Sequence, residues 1–275
     1  MRKMLLTGVA AMALGVSAPA MAATFGNIVL TGHDNDLHQS AGAVNATTAE
    51  LNFIRQMSTL PVLVIDAGTQ AVSLISGILG AGNVVAITPG AVTAASFDHS
   101  LYSAFVVASV STCGGCDNPP GTGTMLAAFS GAISAFFNAG GGILGETVAD
   151  DSAGYAYVPD AAAASPIFSS NGFVATANGL ADLGAGYTAV NGDQTHNTFS
   201  APGTGGTSAV YKVAEIFDPS GTGTGPAVTL YASGVIHCAS GGLPPCTIVG
   251  VPEPISLSLI GVGLFGLGAV RRYRR

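Results

Sequence analysis

Between residues 27 and 145 the chain alternates short β-branched runs with stretches of helical periodicity, and this alternation limits the fold more than any other feature. Asn27–Thr31, Pro61–Ile65, Val84–Ile87, Tyr102–Val110 and Gly142–Leu144 read as strands. Between them, Thr47-x-x-Glu50 reads as a capping box opening a helix with Leu51, Ile54 and Met57 on one face. Ala71–Leu79 reads as a weaker helix. Met125–Asn138 reads as a strongly apolar one, capped by Thr124, with Phe129, Ile133, Phe136 and Phe137 on one face. Strand, helix and strand in turn predict an α/β fold with a doubly wound, mostly parallel sheet. After Glu146 the pattern loosens. Residues 154–164 and 166–176 read as small-residue loops with aromatic insertions. Ser208–Phe217 and Ala227–Ser233 read as two late strands, antiparallel, joined by a Gly221-Thr-Gly-Thr-Gly225 turn that lacks a phosphate-loop lysine.

The two ends of the chain read differently. Arg2 and Lys3 precede the apolar run Leu5–Val16, and Ala18-Pro19-Ala20 and Ala20-Met21-Ala22 both fit a cleavage site, so residues 1–22 are expected to be a signal peptide. Residues 23–250 are then the exported domain. Beyond it stand Val251-Pro252-Glu253-Pro254, the uncharged segment Ile255–Val270, and Arg271, Arg272, Arg274 and Arg275. As a helix that segment would be about 24 Å long, short for a comfortable membrane span. The arginines would hold its end on the cytoplasmic side. This three-part tail, residues 251–275, resembles the PEP-CTERM sorting signal, a motif also catalogued at the C-terminus of some ice-binding proteins. The resemblance implies a Gram-negative exporter and transient passage through the inner membrane. It also implies an exosortase-type membrane protease as partner, and a destination at the cell surface or in an exopolysaccharide matrix. An ordinary tail anchor is the bland alternative.

Charge separates the ends from the middle. Of eight basic residues only Arg55 and Lys212 lie in the body, against fourteen acidic ones, a formal charge of −12. Such a surface repels nucleic acid and anionic lipid. The cysteines fall into two close pairs, Cys113/Cys116 and Cys238/Cys246. In an exported chain local disulfides are expected. A redox role for Cys113-Gly-Gly-Cys116 is disfavoured because that motif usually opens a helix, and here it runs into a proline loop.

The order of elements is also similar to the class I glutamine-amidotransferase-like fold, a flavodoxin-like sheet, and to its trehalose-utilisation branch. The residues that carry this are Ile28–Asp34, Tyr102–Val110, the run from Asn138 to Gly145, His196 and the late strand Ala227–Tyr231. Amidotransferases proper keep a nucleophilic cysteine on the turn after the strand that here reads Gly142–Leu144. This chain has Gly145-Glu146-Thr147 there, so glutamine hydrolysis by that route is not expected.

A doubly wound sheet presents ligands to the carboxyl ends of its strands. The residues expected there are His33, Asp34, Asp36 and His38 after the first strand, Asp66 after the second, Glu146 after the fifth, and His196. Imidazoles beside carboxylates are competent for a divalent metal, and Glu146 and His196 for general acid–base work. The same residue types also serve loops by bonding turn backbone, and no cofactor is expected. Tyr155, Tyr157, Phe168 and Phe173 are expected to plug a small core rather than line a sugar groove. The first functional expectation is a non-catalytic surface or matrix protein binding glycan. The alternative is a carbohydrate-active hydrolase or lyase built on the His/Asp cluster.

Overall fold

The computed structural model describes residues 25–110, 118–146, 153–159, 165–192, 196–199, 210–239 and 242–249, all within the unit Thr24–Glu253. The leader at 1–22, the Cys113/Cys116 pair and the tail from residue 250, with its VPEP motif and arginines, lie outside the described residues. The first half runs β1 (Asn27–Thr31), α1 (Ala41–Arg55), β2 (Val62–Ile65), α2 (Gln70–Leu79), β3 (Val84–Ile87) and β4 (Ala104–Val107). Then come α3 (Thr122–Ala127), α4 (Ser130–Asn138) and β5 (Gly142–Gly145). The second half holds β6 (Ser165–Ile167), β7 (Phe173–Ala175), α5 (Ala177–Asp182), β8 (His196–Thr198), β9 (Lys212–Phe217) and β10 (Ala227–Ser233). A last hairpin pairs β11 (Val235–Ala239) with β12 (Leu243–Val249).

Eight strands form the main sheet in the order β3-β2-β4-β5-β1-β10-β9-β7. The first five in this order are parallel, and β10, β9 and β7 continue the sheet antiparallel. The expected mixed α/β fold with a large, mostly parallel sheet is therefore present. A flavodoxin-type order would run 2-1-3-4-5, whereas here β1 sits beyond β5 and joins the parallel block to the antiparallel strands.

Strand alternation divides the core between the two faces. Ile28, Leu30, Leu63, Ile65, Phe105, Val107 and Ile143 pack with Ile133, Phe136 and Phe137 of α4. Val29, Val62, Val64, Ala104, Val106 and Leu144 pack with Ala43, Ala46, Leu51 and Ile54 of α1, and with Ala71 and Ile75 of α2. Helices cover both faces, which is why β1, β2, β4 and β5 are apolar along both sides.

Some boundaries differ from the sequence reading. Helix α1 starts at Ala41, because the Ser40 hydroxyl accepts the Ala43 N–H at 3.2 Å. Thr47 and Glu50 therefore do not form a capping box. They lie one turn apart in mid-helix, buried, and their side-chain oxygens have no hydrogen-bond partner among the described residues. The long apolar helix is two, parted at Ala128–Phe129, where Phe129 leaves helical geometry with φ −101° and ψ 15°. Its start is Gly121, at φ +85°, and not Thr124. The loop expected at 166–176 contains β7 and the end of β6, and β8 follows at His196–Thr198. The glycine–threonine turn between β9 and β10 folds around the Asp218 carboxylate, which accepts from the Ser220 hydroxyl and the Thr222 and Gly223 N–H groups at 3.0, 3.1 and 2.6 Å.

Cys238 and Cys246 oppose each other in the last hairpin and form a disulfide. Asn138 of α4 fastens that hairpin, giving its amide N–H to the Ile236 carbonyl and accepting the Ile236 N–H, each at 2.8 Å. Among the described residues no helix is long and apolar enough to cross a membrane, and Ile255–Val270 lie outside them.

Candidate functional site

The carboxyl edge of the sheet collects the acidic and imidazole side chains. Cross-strand register places Thr31 of β1 opposite Thr229 of β10, and Thr229 opposite Glu215 of β9. One residue beyond the end of β1 and its Gly32, His33 bridges to His196 of β8. The two rings meet edge-on with Nδ1 atoms 2.7 Å apart, and His33 Nε2 lies 3.0 Å from Glu215 Oε2. Glu215 accepts the Nε2 proton of His33, and a single proton lies between the two Nδ1 atoms. Glu215 also accepts from the Tyr187 hydroxyl at 3.2 Å, the Val190 N–H at 2.9 Å and the Thr229 hydroxyl at 3.4 Å. Phe173 closes the group, its ring centroid 4.3 Å from His196 and 5.2 Å from His33. His33, His196 and Glu215 are all buried.

A second group stitches three parallel strand ends together. The Asp36 N–H donates to Glu146 Oε2 at 3.2 Å, just past β5. The Asp36 carboxyl accepts the Leu37 N–H at 3.0 Å and the Ser109 N–H, past β4, at 2.9 Å. Burial pushes the Asp36 carboxyl upward, against the backbone donor of Ser109. Burial also raises Glu146 well above the usual range, and the neighbouring Asp36 and Glu50 carboxyls add to the effect. Glu50 itself, reaching in from α1, is pushed up to about 8 by burial and then by Glu215. Tyr157, whose hydroxyl lies over Gly145, is raised by burial and by Glu146.

The sequence candidates thus fall into three sets. His33 joins His196, and Asp36 joins Glu146. Asp34 accepts from His38 Nδ1 at 3.2 Å within its own loop. Asp66 also serves locally, its oxygens accepting the Gly68 N–H at 2.7 Å and the Val72 N–H at 3.3 Å in the first turn of α2. Among the described residues no group of three or more His, Cys, Asp or Glu side chains is placed to hold a metal ion. Tyr155, Tyr157 and Phe173 are buried as core plugs, whereas Phe168 is 73% exposed. A surface cleft lined by Asn52, Arg55, Ser58 and Asn83 lies at the amino ends of β2 and β3, away from these residues.

Two residues at this edge escape a sequence reading. Glu215 is a single carboxylate inside the apolar run Lys212–Phe217, and its only signal is an acid at a core-facing position. Asn118 donates to the Ile65 and Ala108 carbonyls at 2.9 and 3.0 Å and accepts the Ala67 N–H at 2.9 Å, clamping the ends of β2 and β4.

Residues 250–275 match the PEP-CTERM protein-sorting motif. That match marks the chain for export and for processing by an exosortase membrane enzyme. No curated protein and no solved structure matches the chain, so the amidotransferase-like resemblance of the body has no neighbour behind it.

Proposed function

We propose that this exported, exosortase-sorted chain ends at the cell surface or in an exopolysaccharide matrix, and that its α/β domain is a binding or structural module rather than an enzyme. The address rests on the motif at 250–275. The observation that supports the non-catalytic reading is how the candidates for ligand or metal binding are engaged. Both ring nitrogens of His33 are engaged within the protein, both oxygens of Asp36 accept backbone N–H groups, and so do both oxygens of Asp66. That leaves His33 no ring nitrogen for a substrate proton or a metal ion, and it holds the Asp36 and Asp66 carboxyls to neighbouring backbone.

A second reading, a carbohydrate-active hydrolase or lyase, draws on Glu146. A buried carboxyl raised in this way suits a general acid, and its Oε1 has no hydrogen-bond partner among the described residues. The discriminating experiment incubates the purified full chain with exopolysaccharide and follows newly formed reducing or unsaturated ends. No turnover is expected. Turnover that disappears in Glu146→Gln would replace the binding reading with the enzymatic one.

A further inference from the structure

We propose that the buried side chains at the carboxyl ends of β1 and β5 form a binding site for a small primary-ammonium compound, an inference that rests on the domain being a binding module. The first argument is charge. Asp36, Glu50 and Glu146 are each no more than 2% exposed. Between residues 23 and 250 the only Lys or Arg residues are Arg55 and Lys212. Arg55 donates to Ser103 Oγ and to the Ser58 and Leu60 carbonyls. Lys212 pairs with Asp182 at 2.8 Å on the surface. No lysine or arginine of the body therefore neutralises Asp36, Glu50 or Glu146, and a buried uncompensated charge is costly.

The second argument is independent of charge. Among the described residues, Glu146 Oε1, the Tyr157 hydroxyl and both polar atoms of the Asn35 amide have no hydrogen-bond partner, although each residue is no more than 2% exposed. Tyr157 and Glu146 are neighbours, and Asn35 precedes the residue that bonds Glu146. The Asn35–Asp36 peptide donates to Glu146, and the Tyr157 hydroxyl lies over Gly145, the residue before Glu146. Buried polar groups without partners are rare in folded proteins and mark a place where a partner belongs.

The chemistry of that partner follows from the acceptors. An anion is repelled. A metal ion finds no group of three such side chains placed for it among the described residues. An ammonium group carries one positive charge and three N–H donors, which suit the carboxyl of Glu146, the carbonyl of Asn35 and the phenolic oxygen of Tyr157. The titratable groups facing Glu146 are Asp36 from the loop after β1, Glu50 from α1 and Tyr157, and Asp66 faces Asp36. Burial raises both Asp36 and Glu146, so the pair retains a proton at a pH where exposed carboxyls have lost theirs. When the ammonium enters, that proton leaves to solvent, and the charge of the site is conserved.

The test is calorimetric titration of the full chain at pH 6, 7 and 8 with ethanolamine, with ethylene glycol as the uncharged counterpart. Repeating it in buffers of different ionisation heat counts the protons released. Ethanolamine is expected to bind and glycol not, with one proton released and affinity rising by up to about tenfold per pH unit. Glu146→Gln is expected to weaken binding at least tenfold, and Tyr157→Phe several-fold. Absence of ethanolamine binding, equal binding of glycol, or a flat pH profile would overturn the proposal. So would unchanged affinity in a Glu146→Gln chain that melts cooperatively. If that variant does not fold, the glycol comparison and the pH slope still decide. Failure here leaves export and matrix location untouched, because cell fractionation reads those separately.

Discussion

At the scale of single residues, the buried acids set the stability of the domain. Glu50 has an ordinary value of 4.5 and is pushed up to about 8 in the fold. Below 4.5 its carboxyl is protonated whether the chain is folded or not. Between the two values the unfolded chain releases the proton and the folded chain keeps it, so stability falls as pH rises, by at most about 1.4 kcal/mol per unit. Above 8 the loss is complete. Thermal melts should therefore show the wild-type midpoint dropping from pH 5 to pH 8. Glu50→Gln should flatten that drop and exceed wild type at pH 8, and parallel curves would show that Glu50 is not the cause. Asp36 and Glu146 are raised in the same sense, so some slope remains. Glu215 contributes through hydrogen bonds, its oxygens accepting from buried donors. Glu215→Ala strands His33 Nε2, the Tyr187 hydroxyl and the Val190 N–H, which should cost about 3 kcal/mol or more in denaturant unfolding. Little of this was legible. Histidines and carboxylates after apolar runs mark the carboxyl edge, but nothing in the sequence says that His33 and His196 face each other across 163 positions. A lone Glu215 in a strand has no spacing to reveal it.

At the scale of elements, legibility follows the strength of the local signal. The runs at 27–31, 62–65, 84–87, 142–145 and 227–233 were readable because β-branched and apolar residues crowd them between glycines and prolines. The start of α1 was not. Ala41-Gly-Ala-Val-Asn45 has weak helical propensity, and tertiary packing on the sheet overrides it. Ser40→Ala should accordingly cost about 1 kcal/mol, measured as a shift in denaturant midpoint. The short strands β6, β7 and β8 escaped because three residues show no period and their pairing is long-range. The last hairpin, in contrast, was foreshadowed by the spacing of Cys238 and Cys246. Its disulfide closes a short loop, so replacing both cysteines with serine should lower stability by about 2–3 kcal/mol. An unchanged melting temperature under reducing conditions would show that the contacts of Asn138 and Ile236 hold the hairpin unaided.

At the scale of the whole molecule, charge and motif tell one story. A body carrying −12 between two basic ends is suited to solubility outside the cell and poorly suited to nucleic acid or anionic membrane. The match at 250–275 supplies the route, and the α/β domain supplies a buried polar edge where His33 bonds His196 and the Asp36 N–H bonds Glu146. The most direct test is the intact mass of the exported chain recovered from the cell surface and medium. The expected product has lost Arg271, Arg272, Arg274 and Arg275 together with the apolar segment before them. A chain held in the inner membrane and still ending at Arg275 would contradict it.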